Sequence, residues 1–182
     1  MKTLKPCLLS LAVVLVGTLA GCSTASSKSP DVSENLRKTL DQAGFKDVSS
    51  SQDRDKGVVT LGGHVTTDSD KQEAESIAKS IAGVQVVSNQ IAVIPSGAES
   101  SAKAVNSELD KGIEHNLDAA LIQEKLHENV KYAVKNRVVT LSGDVASQAT
   151  RARAEAVAVA VLNVQQVVNE LQIKGQKATS SK

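Results

Sequence analysis

Val58-Val59-Thr60-Leu61-Gly62-Gly63-His64-Val65 and Val138-Val139-Thr140-Leu141-Ser142-Gly143-Asp144-Val145 are one stretch written twice, 80 positions apart. Each alternates so that Val59, Leu61, Gly63 and Val65, or Val139, Leu141, Gly143 and Val145, share one face of a strand. A self-match at a fixed offset is the signature of a duplicated structural unit. The offset continues without a gap: Ala74-Glu75 falls on Ala154-Glu155, Ala78 on Ala158, Val84-Gln85 on Val164-Gln165, and Asn89 on Asn169.

Working outward, each copy reads helix, strand, strand, helix, strand. Val32, Leu36 and Leu40 recur every four residues and predict the first helix of copy one, ended by Gly44 in a left-handed conformation. Leu117, Leu121, Ile122 and Leu126 play the same part in copy two. A hairpin follows. Val130, Tyr132 and Val134 alternate with Lys131, Ala133 and Lys135, and Lys135-Asn136 supplies the turn. In copy one the turn is Asp55-Lys56-Gly57, and the Ser-rich strand Val48 to Gln52 before it is an exposed edge. A Gly inside a strand marks a bulge or a close approach, so Gly63 and Gly143 are expected to let the second helix pass close to the sheet.

That helix carries Ala74, Ile77, Ala78 and Ile81 at i, i+3, i+4 and i+7, repeated as Ala154, Val157, Ala158 and Val161. Thr67 or Asp68 caps the first and Ser147 the second, and Gly83 and Asn163 occupy the C-terminal αL position. Val87, Ile91 and Val93, with Val167, Leu171 and Ile173, give the closing strands. A right-handed strand-helix-strand crossover then places two helices on one face of a three-stranded mixed sheet. The fold class is α+β, with two tandem αββαβ modules spanning 31–95 and 113–174, joined by a linker at 96–112 in which Ala102 to Leu109 can extend the next helix.

These residues resemble the BON domain family. Its pattern is a helix, then G-x-V-x-L-x-G-x-V, an Ala-cored helix and G-V-x-x-V-x-N. Gly57 to Val65 and Gly83 to Asn89 fit, while copy two has Arg137 and Asn163 in place of two of the glycines. The resemblance implies a place among osmotically induced periplasmic and outer-membrane proteins. It implies association with phospholipid surfaces in support of envelope integrity, no enzymatic activity and no catalytic motif.

The N-terminus points to the same compartment. Lys2 and Lys5 precede an apolar run from Leu8 to Ala20, too short for a span of about 20 residues, which reads as a signal peptide over 1–21. Leu19-Ala20-Gly21-Cys22 resembles the lipobox of bacterial lipoproteins, which implies cleavage before Cys22 and acylation of it. With Ser23 rather than Asp next, lipoprotein sorting implies a lipid anchor on the periplasmic face of the outer membrane. Residues 22–30 are the tether and 175–182 a disordered tail. The alternative is an ordinary secretory signal with an incidental Cys.

Composition excludes more than it includes. The chain has two cysteines, and loss of Cys7 with the leader and acylation of Cys22 remove thiol catalysis and cysteine metal sites. Without Lys2 and Lys5 the net charge is −1, and one Phe, one Tyr and no Trp leave no stacking platform, so nucleic acid is not a partner. His64, His115 and His127 have no metal-ligand spacing, and no nucleophile, base and oxyanion set can be assembled, so no cofactor, metal or enzymatic activity is expected. Asn89 and Asn169 are expected to cap backbone at the strand.

Charge differs between the copies, at −3 over 31–95 and +1 over 111–174. Lys131, Lys135, Arg137, Arg151 and Arg153 are the candidate contacts to anionic phospholipid, each worth about 1 kcal/mol near an anionic leaflet, unless they are simply solvated faces. An adaptor that docks an envelope protein, through the edge strand or the Ala-rich helices, is the alternative function.

Overall fold

The computed structural model describes residues 28–83 and 85–173. The expected signal peptide, Cys22, most of the tether and the tail at 175–182 lie outside the described residues.

Copy one runs α1 (Ser33–Gln42), β1 (Val48–Asp53), β2 (Val58–Val65), α2 (Asp68–Ala82), β3 (Val86–Asn89) and β4 (Ala92–Val93). Copy two runs α3 (Glu99–Gln123), β5 (Lys131–Lys135), β6 (Val138–Ser142), β7 (Asp144–Val145), α4 (Gln148–Val159), β8 (Gln166–Asn169) and β9 (Gln172–Ile173). In each, the central strand pairs antiparallel with the strand before it and parallel with the strand after the crossover helix. Val59 stands opposite Gln52 and Val87, and Val139 opposite Val134 and Val167. The short strands β4 and β9 prolong β3 and β8 past a break and pair with His64–Val65 and with β7. The architecture is the expected α+β duplication.

The core of copy one joins Leu36 and Leu40 of α1 to Val59 and Leu61 of β2 and Ala74 and Ala78 of α2. Copy two repeats it with Leu117, Leu121, Val139, Leu141, Ala154 and Ala158, and adds Ile113 one turn earlier. Alanines at the contact line let a helix lie close on a sheet of Val and Leu, and interiors of this density leave little room for change. Thr67 accepts from the Asp70 N–H and Ser147 from the Thr150 N–H, each at 3.1 Å, closing the helix N-termini as side-chain caps. Gly83, at the C-cap of α2, takes φ of 65° with ψ of −116°, a positive-φ conformation other than the expected αL one, and Asn163 takes φ of 67° three residues past Ala160, the C-cap of α4.

Four further details depart from the sequence reading. Gly63 and Gly143 make room for backbone, not for a helix. A Cβ at Gly63 would lie 1.9 Å from the Asp47 carbonyl oxygen, and one at Gly143 would lie 2.6 Å from that of Asn129. The chain just ahead of β1 and β5, at Asp47 and Asn129, runs against these glycines, so its backbone needs the space. Ile122 is 54% exposed, because a 3.6-residue period turns it one position off the Leu117–Leu121 line. The second hairpin turns at Asn136-Arg137, with φ of 48° and 66°, one residue later than expected. Both N–H groups donate to the Asp110 carboxylate at 2.8 Å, which holds a left-handed pair that contains no Gly. Finally, the expected linker is helical from Glu99 onward, since no Pro interrupts 99–123, and this places Asp110 under the turn.

The copies meet along β3 and β8 with approximate two-fold symmetry. Lys56 donates to Glu170 at 2.6 Å, and its repeat partner Asn136 donates to the Gln90 carbonyl, the repeat partner of Glu170, at 2.7 Å. The Gln166 side-chain amide stands in for a strand: it accepts from the Asn89 N–H at 2.8 Å and donates to the Val87 carbonyl at 2.6 Å, pairing two backbone groups of the β3 edge. Val58, Val138 and Val168 form the small apolar cluster at this seam.

Candidate functional site

The two asparagines are structural in both copies. The Asn89 side chain accepts from the Ile91 N–H and donates to the Lys71 carbonyl and to Glu75, tying the break in the closing strand to the crossover helix. Asn169 repeats every bond with Leu171, Arg151 and Glu155. Burial alone would raise the Glu75 carboxyl, but the Asn89 amide and the Lys79 ammonium outweigh it and hold the group below the usual glutamate range.

The histidines do not assemble a reactive group. His64 and His115 are exposed. His127 Nδ1 lies 2.9 Å from an Asp118 oxygen that also accepts the Tyr132 hydroxyl at 3.0 Å, at the surface where α3 meets β5. Burial, and then the Asp118 carboxylate, push the Tyr132 hydroxyl above the usual phenol range. Among the described residues no three His, Cys, Asp or Glu side chains come together as a metal site would require.

The five basic residues of copy two divide. Lys131 and Lys135 are exposed on the outward side of β5. Arg137 sits in the hairpin turn against copy one, close enough to Lys71 to help depress it. Arg151 is partly buried and donates to the Asn169 carbonyl at 3.0 Å. Arg153 is paired with Glu124. Only the two β5 lysines thus project from the outward face of their strand.

A surface that the charge pattern did not announce lies on α4. Ala149, Ala152, Ala156 and Val159 share the exposed face opposite buried Ala154 and Ala158, and Leu162 follows just past the helix end. Val159 is 63% exposed and Leu162 is 77% exposed. The equivalent face of α2 carries Ser69, Gln72, Ser76 and Lys79, all exposed. The buried positions of the two helices are the same, so packing does not explain the outward difference. The signal was present in the repeat alignment, at the positions that do not match.

The three-stranded mixed sheet with two helices, present in two copies, defines a small duplicated α+β architecture. Residues 30–95 and 109–175 match the BON domain, and the chain belongs to that family. It is 34% identical over 137 residues to osmotically-inducible protein Y of Escherichia coli strain K12, a match that covers 74% of this chain and 67% of that protein. It also overlaps solved structures of CdsD, a structural protein of the type III secretion system of Chlamydia trachomatis. The first is 13% identical with a TM-score of 0.34, covering 77% of this chain and 90% of that one. No helix among the described residues is long and apolar enough to cross a membrane.

Proposed function

We propose that this protein is a non-enzymatic component of the bacterial envelope, related to osmotic stress, that rests on a phospholipid surface through its second copy. Family membership and the likeness to an osmotically inducible protein support the envelope and stress setting. The observation that carries the lipid reading is the outward face of α4, apolar where its repeat partner is polar. A helix that presents an apolar face to the headgroup boundary gains about 25 cal/mol for each Å² it buries there. Lys131 and Lys135 project from the opposite side of the sheet and add only a long-range, salt-screened attraction to an anionic leaflet. Acylation of Cys22 would hold the chain at the periplasmic face of the outer membrane, leaving copy two to make the second contact.

Co-sedimentation of the lipid-free chain (residues 23–182) with phosphatidylglycerol-containing and with neutral vesicles tests this. The expected result is binding to the anionic vesicles that high salt weakens without abolishing. Absence from both pellets contradicts it. The adaptor reading rests on the outer edge of β1, the terminal strand of its sheet, where a partner strand can add. Capture of one envelope protein without vesicle binding would select it.

A further inference from the structure

The chain enters copy one under a clamp of two glutamines. Gln52 of β1 donates its amide to the oxygen of Gln85, a buried residue just ahead of β3. Both amides also donate to the Pro30 carbonyl, Gln52 at 2.7 Å and Gln85 at 3.3 Å. The Gln52 oxygen accepts the Val32 N–H at 3.2 Å and the Ser33 hydroxyl at 3.1 Å, where α1 begins. Just upstream, the Ser29 N–H donates to the Arg54 carbonyl at 2.9 Å, and Arg54 Nε donates back to the Ser29 carbonyl at 2.8 Å. Gly57 leaves the room for this: a Cβ there would lie 3.0 Å from the Ser29 Oγ. Lys28 pairs with Asp55 of the first hairpin turn at 3.4 Å. Residues 28–33 thus form a strap that runs opposite to β1, and the chain ahead of Lys28 departs at the hairpin turn.

The fold itself does not require the clamp. Gln52 stands opposite Val59, and at the equivalent place of copy two, opposite Val139, stands Val134. There α3 runs through without a break. The amide pair occurs where chain arrives from outside the duplicated unit. Opening it is costly, since the buried amide and carbonyl groups lose their partners.

The clamp also sets a length. Cys22 lies six residues ahead of Lys28, and six extended residues reach about 20–22 Å. Released as far as Ser33, the chain from Cys22 would reach about 36–40 Å. The strap therefore roughly halves the reach and fixes its origin at the first hairpin turn. From that turn Lys56 pairs with Glu170, whose neighbour Asn169 accepts from Arg151 in the first turn of α4. The departure point of the tether and the start of α4 are joined by this run of contacts.

We propose that the strap is a positioning device: it delivers the tether at the first hairpin turn, so that this end of copy one, with the start of α4 beside it, faces the bilayer. The inference rests on the acylation of Cys22 proposed above.

The test uses the lipidated chain in phosphatidylglycerol-containing proteoliposomes, with a fluorophore on Asp55→Cys or on Lys46→Cys. Both sites are exposed, and they lie at opposite ends of β1. A quencher confined to the lipid headgroups should dim the Asp55→Cys probe several-fold more than the Lys46→Cys probe. Gln52→Ala combined with Gln85→Ala should remove the difference. So should a Gly-Ser segment of about 20 residues inserted ahead of Lys28, which lengthens the tether and leaves the clamp intact. Equal dimming of the two probes without these changes overturns the proposal, as does a difference that survives both of them. Hydrogen exchange of the lipid-free chain reads the strap directly. The Ser29 amide should be protected in the wild type and open in the double Gln variant, with the Leu61 amide protected in both. A Ser29 amide that exchanges freely in the wild type overturns the proposal. Mass spectrometry of the proteoliposome sample reads Cys22. An unmodified Cys22 sinks the anchor reading and this inference with it, whereas a lipidated chain with equal dimming sinks this inference alone.

Discussion

The two hairpin turns occupy equivalent places and are held by different means. In copy one, Arg54 to Gly57 form a four-residue loop in which Asp53 accepts the N–H groups of Asp55 and Lys56 at 3.0 Å and Gly57 takes φ of 68°. That turn is built from its own sequence. In copy two, Asn136-Arg137 carry positive φ without a Gly, and the stabilising carboxylate comes from Asp110, some 26 residues upstream on α3. One fold thus tolerates either a local or a borrowed solution. The borrowed one binds the connecting helix to the second hairpin and fixes Arg137 at the seam.

The largest expected effect breaks the similarity of the two strand glycines. Gly63→Ala puts a Cβ 1.9 Å from the Asp47 oxygen at φ of 86°, so backbone must move. It should destabilise by about 3 kcal/mol or more, and Gly143→Ala, with 2.6 Å to Asn129, by less. Urea melts of both variants measure this, and equal losses would show that the two close approaches are equally tight. Next, Asp110→Ala leaves two left-handed N–H groups without their acceptor and should destabilise by about 2 kcal/mol, while Asp53→Ala, at an exposed turn that keeps its Gly, stays near 1 kcal/mol. The same melts read both.

Asn89→Ala and Asn169→Ala should each lose about 1–2 kcal/mol, because three bonds tie the strand break to the helix. The smallest effect is acidic. The Glu75 carboxyl is held below its ordinary value, so the stability it lends is complete above the unfolded-state pKa near 4.5 and is lost as pH falls through the lower folded value. Thermal melts from pH 6 to 3 should therefore fall less steeply in Glu75→Gln than in the wild type. Identical slopes would remove Glu75 from the account.

Most of the fold was legible because burial repeats with a period. The Leu36–Leu40, Val59–Leu61 and Ala74–Ala78 pairs announce a face each, and a second copy at a fixed offset checks every one. The positive φ of Gly83 and Asn163 was legible because few residues accept it, although neither residue makes the αL cap of its helix that the repeat suggested. The purpose of Gly63 was not, since the Asp47 carbonyl that crowds it comes from a loop with no pattern of its own. Asp110 under the turn was equally hidden, being a contact across 26 residues that no local rule encodes. On the surface, charge type was visible and charge use was not: Arg151 and Arg153 read as free cations and are engaged. The α4 face emerged once exposure separated outward from inward alanines.

The measurement that bears most directly on the central claim exchanges that face for its repeat partner. Ala149→Ser, Ala152→Gln, Ala156→Ser, Val159→Lys and Ala160→Ser give α4 the outward residues of α2 and leave Ala154 and Ala158 in the core. Vesicle co-sedimentation of this variant should fall to background at high salt, with circular dichroism unchanged. Full retention of vesicle binding by the folded variant would contradict the claim that the second copy meets lipid through α4.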